Sequence, residues 1–178
     1  MKKMLILLFT IFSAVSFSEN VDIVIKNATV LTMDAKKTVI ENGVVAIKNN
    51  AIVEVGNEEL LSKYKGKKTI DAENDIVMPG FINTHTHVSM VAFRSLADDV
   101  PDRLSRYIFP LENKLVSRDL VYKGAVYGIL EMVSTGTTTF ADMYYFEDEV
   151  AKAAELIGVR GVLGETVIKN PVADAKEP

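Results

Sequence analysis

Apolar positions along the chain change their period at about residue 87. Before it they come in short runs of β-formers: Val21-Asp22-Ile23-Val24-Ile25, Val30-Leu31-Thr32-Met33, Gly43-Val44-Val45-Ala46-Ile47-Lys48 and Ala51-Ile52-Val53-Glu54-Val55. Runs of this length separated by turn residues predict strands. Asn49-Asn50 between the last two predicts a tight hairpin, because asparagine tolerates the positive φ such a turn demands. Residues 58–64 read as a short helix, the basic Lys63-Tyr64-Lys65-Gly66-Lys67-Lys68 as a solvated loop, and Asp71-Ala72-Glu73-Asn74 as a turn. The next apolar run, Ile76, Val77, Met78, Phe81 and Ile82, predicts a buried strand running into Asn83-Thr84-His85-Thr86-His87.

Beyond His87 the spacing becomes helical. Leu120, Tyr122, Val126, Ile129, Leu130 and Val133 predict an amphipathic helix over Arg118–Ser134, with Ser117 as N-cap and Gly136 just past its end. Residues 137–143 are rich in β-formers and predict a strand. A second helix is expected over Glu147–Ile157, its acidic first turn favoured by the helix dipole and its end set by Gly158, and residues 159–164 predict a third strand. Strand alternating with helix is the signature of parallel βαβ units, so the fold class is α/β. No Gly/Ser-rich linker separates the halves, and the organisation expected is a leader over 1–18, a small β unit over 19–76 and a βα unit over 77–178.

The leader is read from Lys2 and Lys3, the apolar residues 4–12 and the small Ser13, Ala14, Ser16 and Ser18, which together have the layout of a secretory signal peptide. Export to the periplasm or the medium is the expectation, and a cytoplasmic location if the leader is not used. The run is shorter than the roughly 20 residues a membrane span needs, so no stable anchor is expected after cleavage. The remainder is globular in composition, 48% hydrophobic and 25% charged over 178 residues. A net charge of −4 and a pI near 5.3 give no electrostatic reason to expect nucleic acid or an anionic membrane as partner. Cysteine is absent, which excludes disulfides and thiolate ligands.

Chemistry concentrates in one place. Both histidines of the chain stand two residues apart at the end of the apolar run. Strict strand alternation puts His85 and His87 on one face and Thr84 and Thr86 on the other. Two convergent imidazoles suit zinc, which binds histidine nitrogen at roughly 2.0–2.1 Å; the competing interpretation is a chance pair on an exposed strand. Asn83 has the parity of the histidines, as a donor behind them or as an amide satisfied by backbone. Asp142 falls near the end of the second strand of this βα pattern, open either to a role in the site or to capping the next helix. Arg94, Asp98 and Asp99 are read as solvated, without a role.

The run Pro79-Gly80-Phe81-Ile82-Asn83-Thr84-His85-Thr86-His87 resembles the first barrel strand of the metal-dependent amidohydrolase superfamily. Its flanks, residues 88–99 (VSMVAFRSLADD) and 109–115 (FPLENKL), resemble the methylthioadenosine/S-adenosylhomocysteine deaminase and triazine chlorohydrolase subgroup. The resemblance spans roughly residues 21–167 and matches the first part of a family member. It implies the start of a (β/α)₈ barrel preceded by part of a β-sandwich; such a barrel takes about 250 residues, so it is incomplete in this chain. It also implies one divalent metal ion, zinc first and iron second, on His85 and His87. Two later histidines and an aspartate would complete the ligands and a glutamate would move protons, none of them at positions present here, so the chain alone is expected to be inactive. The implied reaction is hydrolytic deamination of a small molecule, an amino-substituted purine nucleoside such as S-adenosylhomocysteine or methylthioadenosine, by the full-length protein. Glu112 matches the place where the nucleoside deaminases of the family bind the ribose hydroxyls, and Arg103 stands where the family often has tryptophan. The alternatives are a chlorohydrolase or cyclic amidohydrolase of the same superfamily, and a non-catalytic exported remnant or binding module. An oligomer is compatible with any of these.

Overall fold

The computed structural model describes residues 18–169 and 171–175, so the leader apart from Ser18 lies outside the described residues. The chain divides into two units, one ending at Pro79 and one beginning at Gly80, three residues after the break read from the sequence. Among the described residues no helix is long and apolar enough to cross a membrane.

The first unit comprises β1 (Glu19–Leu31), β2 (Val39–Lys48), β3 (Ala51–Gly56), the single-turn α1 (Leu60–Lys63), β4 (Tyr64–Asp71) and β5 (Ile76–Val77). Its sheet has the order β3-β2-β1-β4, with β5 also pairing with β1. The expected hairpin joins β2 to β3, and Asn49 and Asn50 take φ of 50° and 61°. Two expectations are corrected. The first two apolar runs form one strand, β1, which passes through Asn27 at φ 55° with register shifts on either side of Ala28. The basic stretch is not a loop but β4, pairing in parallel with β1. Tyr64 turns inward and bonds Glu54 through its hydroxyl at 2.7 Å, while Lys67 pairs with Asp22 at 2.7 Å. Lysines suit an edge strand because they discourage further pairing.

The second unit contains β6 (Phe81–Thr86), a 3₁₀ turn (Val88–Phe93), a π-type turn (Leu104–Ile108), α2 (Phe109–Leu115), α3 (Arg118–Ser134), β7 (Thr137–Tyr144), α4 (Glu147–Ile157) and β8 (Arg160–Glu165). The strands run parallel in the order β6-β7-β8, the βαβ pattern read from the sequence. Both long helices have the expected bounds: Ser117 Oγ accepts from the Leu120 amide at 3.3 Å, and Gly158 ends α4 at φ 82°. A core of Val121, Ala125, Ile129, Phe140, Val150 and Ala153 joins α3 and α4 to the sheet.

The apolar run before the histidines is not one buried strand. It breaks after Val77 and resumes at Phe81, and Phe81 and Ile82 are 57% and 67% exposed, because β6 is an edge with β7 its only partner among the described residues. The helix stripe is corrected too. α3 buries Val121, Gly124, Ala125, Gly128 and Ile129, whereas Leu130 and Val133 are exposed. Small residues form this face because the chain after His87 lies against it: a Cβ on Gly124 would meet Ser89 O at 2.5 Å, and one on Gly128 would meet Val88 O at 2.8 Å.

Candidate metal and substrate site

From Asn83 to Thr86, three steps of β6 match only two steps of β7, from Phe140 to Asp142. The extra residue is a β-bulge, a device that re-aims side chains beside functional sites. It interrupts the strict alternation assumed from the sequence, and Asn83 and His87 still line one cavity beside α3. The Asn83 side-chain amide reaches Met132 Sδ on α3 at 3.7 Å, and its carbonyl accepts the His85 amide at 3.2 Å. The imidazoles of His85 and His87 meet edge to face with ring centroids 5.2 Å apart.

The end of β7 holds this turn in place. Asp142 Oδ1 accepts the Thr86 hydroxyl and, at 2.8 Å, the Val88 amide, on either side of His87. His87 Nδ1 lies 2.5 Å from the Met143 carbonyl, which can only accept, so Nδ1 carries the proton and Nε2 keeps the free lone pair. That is the arrangement that orients a metal-binding histidine. Asp142 is therefore a brace of the histidine turn and not the cap of α4. The cap position belongs to Phe146, and the Glu165 carboxylate takes the Phe146 and Glu147 amides at 2.8 and 3.1 Å. Behind Asp142, Glu147 is 5% exposed, and both its oxygens and Asp142 Oδ2 lack a conventional partner among the described residues. Burial, then the neighbouring Asp142, pushes the Glu147 carboxyl up to about 8. It keeps its proton at neutral pH.

Glu112 is buried. It lies in α2, 4% exposed, and the Tyr144 hydroxyl donates to its Oε1 at 2.8 Å. Burial raises its pKa, while the Tyr144 bond and the nearby His87 ring pull it back down. His87 and Glu112 line one cavity of about 470 Å³, whose walls include Met90, Leu104, Phe109 and Met143. His85 is not part of that lining. Arg103 also lines it, fixed by its Nε to Leu96 O at 2.6 Å and by Asp98 at 3.2 Å. Arg94, given no role from sequence, forms a two-pronged pair with Glu131.

Tyr144 was not singled out by the sequence. Its signal is the alternation Phe140, Asp142, Tyr144, all buried on one side of β7. Among the described residues no cluster holds three or more metal-ligating side chains. Two imidazoles with ring centroids 5.2 Å apart, one with its Nδ1 held by the Met143 carbonyl, are the nitrogen donors that half of a zinc coordination sphere would use.

Residues 76–177, more than half of the chain, match the amidohydrolase family. The chain belongs to the amidohydrolase family. It is 43% identical over 163 residues to 5-methylthioadenosine/S-adenosylhomocysteine deaminase 1 of Syntrophus aciditrophicus, covering 90% of this chain and 37% of that protein. An adenosine deaminase of Xanthomonas campestris with bound zinc superposes with a TM-score of 0.86 at 30% identity, over 90% of this chain and 37% of its own. A triazine hydrolase of Arthrobacter aurescens gives 0.72 at 25% identity, over 83% and 36%. The chain thus spans little more than a third of the length of these relatives, and its α/β fold is that of the matching portion of these hydrolases.

Proposed function

We propose that this chain supplies the front portion of a metal-dependent amidohydrolase that removes an amino group from a purine nucleoside such as methylthioadenosine or S-adenosylhomocysteine. The observation that carries this is the meeting of His87 and Glu112 in one largely apolar cavity, in a chain 43% identical to a deaminase named for those two nucleosides. The zinc in the adenosine deaminase of Xanthomonas campestris supports zinc as the cation. His85 and His87 would hold it, through Nε2 in the case of His87. When bound, such a cation supplies a water acidified toward a pKa of about 7. The chain's own residues do the rest of what is present here. The Met143 carbonyl retains the Nδ1 proton of His87, the apolar walls exclude water around the ring, and Glu112 accepts from the sugar hydroxyls, a task for which a charged acceptor is stronger than a neutral one. Export is part of the same proposal, resting on the leader read from Lys2, Lys3 and residues 4–12.

The test is Glu112→Ala in the full-length protein. A loss in kcat/KM of roughly 2 kcal/mol or more is expected for a ribosylated substrate, in the range for hydrogen bonds to charged groups, with little change for the free base. Equal losses on both would move the assignment to a free-base or ring-dechlorinating hydrolase.

A further inference from the structure

We propose that Tyr144 is a positioning residue that holds the Glu112 carboxylate ready for a ligand's hydroxyls, and that Met143 and Tyr144 together set the spacing between the metal end and the sugar end of the cavity. This rests on the nucleoside assignment above. A carboxylate has about four lone-pair sites. One on Oε1 is taken by the Tyr144 hydroxyl at 2.8 Å. Oε2 has no protein partner among the described residues, yet it is not one of the sealed, partnerless oxygens found on Asp142 and Glu147. With Glu112 in the cavity wall, Oε2 is the acceptor left for a ligand.

Tyr144 can impose this because it is itself fixed. It is 4% exposed, and its ring lies 4.8 Å from that of Tyr145. It also closes β7, where it pairs with Glu165 of β8, whereas Glu112 sits on a seven-residue helix. The residue before it supplies the carbonyl that holds His87. Two adjacent residues of one strand therefore grip the two groups that a nucleoside would bridge, and a displacement of either group changes their separation. Without the hydroxyl, the carboxylate loses its one protein donor among the described residues and its preferred orientation.

The experiment compares Tyr144→Phe with wild type in the full-length hydrolase, on adenosine and on 2′,3′-dideoxyadenosine, which lacks the hydroxyl pair. The expected result is a KM for adenosine raised about tenfold with kcat nearly unchanged, since uniform binding is what is lost. Dideoxyadenosine should be processed as by wild type, which also shows that the variant folds. Glu112→Gln should remove the same preference, and the double variant should cost little beyond either single one, as coupled residues do. Equal losses on both nucleosides, or additive effects in the double variant, would overturn the role of Tyr144 and leave the deaminase assignment standing. A wild-type protein that acts on neither of these nucleosides nor on methylthioadenosine or S-adenosylhomocysteine overturns the assignment, and the role of Tyr144 with it.

Discussion

One extra residue in β6 between Asn83 and Thr86 puts His85 on an irregular stretch, where strict strand alternation no longer sets side-chain direction. The cost of the bulge is met by Asp142, which gathers the Thr86 hydroxyl and the Val88 amide. Asp142→Ala leaves the buried Val88 amide unpaired, while the Thr86 hydroxyl keeps the Ala141 carbonyl, so a destabilisation of about 1–3 kcal/mol is expected in urea unfolding, with metal content falling as His87 loses its frame. Replacing His85 or His87 by alanine in the full-length protein should abolish stoichiometric metal by elemental analysis, because few ligands hold the ion. Full metal occupancy in the double variant would mean that the histidines are structural.

At the scale of elements, α3 fixes the turn from the other side. Its contact face is made of Gly124, Ala125 and Gly128, and the backbone of Val88 and Ser89 rests on it. Gly128→Ala places a methyl 2.7 Å from Val88 Cγ2 and 2.8 Å from Val88 O. Alanine is the better helix former by about 1 kcal/mol, but overpacking of a backbone contact costs about 1–3, so a lower Tm is expected. Ser117→Ala removes the cap of α3 and should cost about 1 kcal/mol without touching the cavity, so stability falls while substrate affinity holds.

Across the whole molecule, buried acids give stability a slope with pH. Burial and the neighbouring Asp142 push the Glu147 carboxyl up to about 8, from the 4.5 of a free glutamate. Below about pH 4.5 it is protonated folded or unfolded, so no penalty applies. Between about pH 4.5 and 8 the unfolded chain gives up a proton that the fold retains, and stability declines as pH rises; above that the loss is complete. Glu112 and Glu165 are shifted in the same direction, also chiefly by burial. Glu147→Gln should flatten the decline measured by urea midpoints across this range, and an unchanged slope would exclude Glu147 as its source. The sheet of the second unit ends at β6 and β8, with Ile82 and Val162 67% and 68% exposed. Open edges with apolar side chains pair with other chains, so the 178-residue chain expressed alone should self-associate in light scattering.

Local signals carried what depends on neighbours in sequence. The caps at Ser117 and Gly158, the Asn49-Asn50 turn, the bounds of α3 and α4 and the strand–helix alternation all follow from residues within a few positions of one another. The H-x-H strand and its flanks likewise pointed to the family and to Glu112 before any contact was known. Tertiary structure decided whatever depends on distant partners. β4 exists because β1 lies beside it, 45 residues away at Asp22 and Lys67. The face of α3 is chosen by the close approach of Val88 and Ser89, which favours glycine over leucine. Asp142, Glu147 and Tyr144 acquire their roles only through bonds to groups brought near by folding, and a pattern of hydrophobic and polar letters holds no record of which buried acid faces which donor.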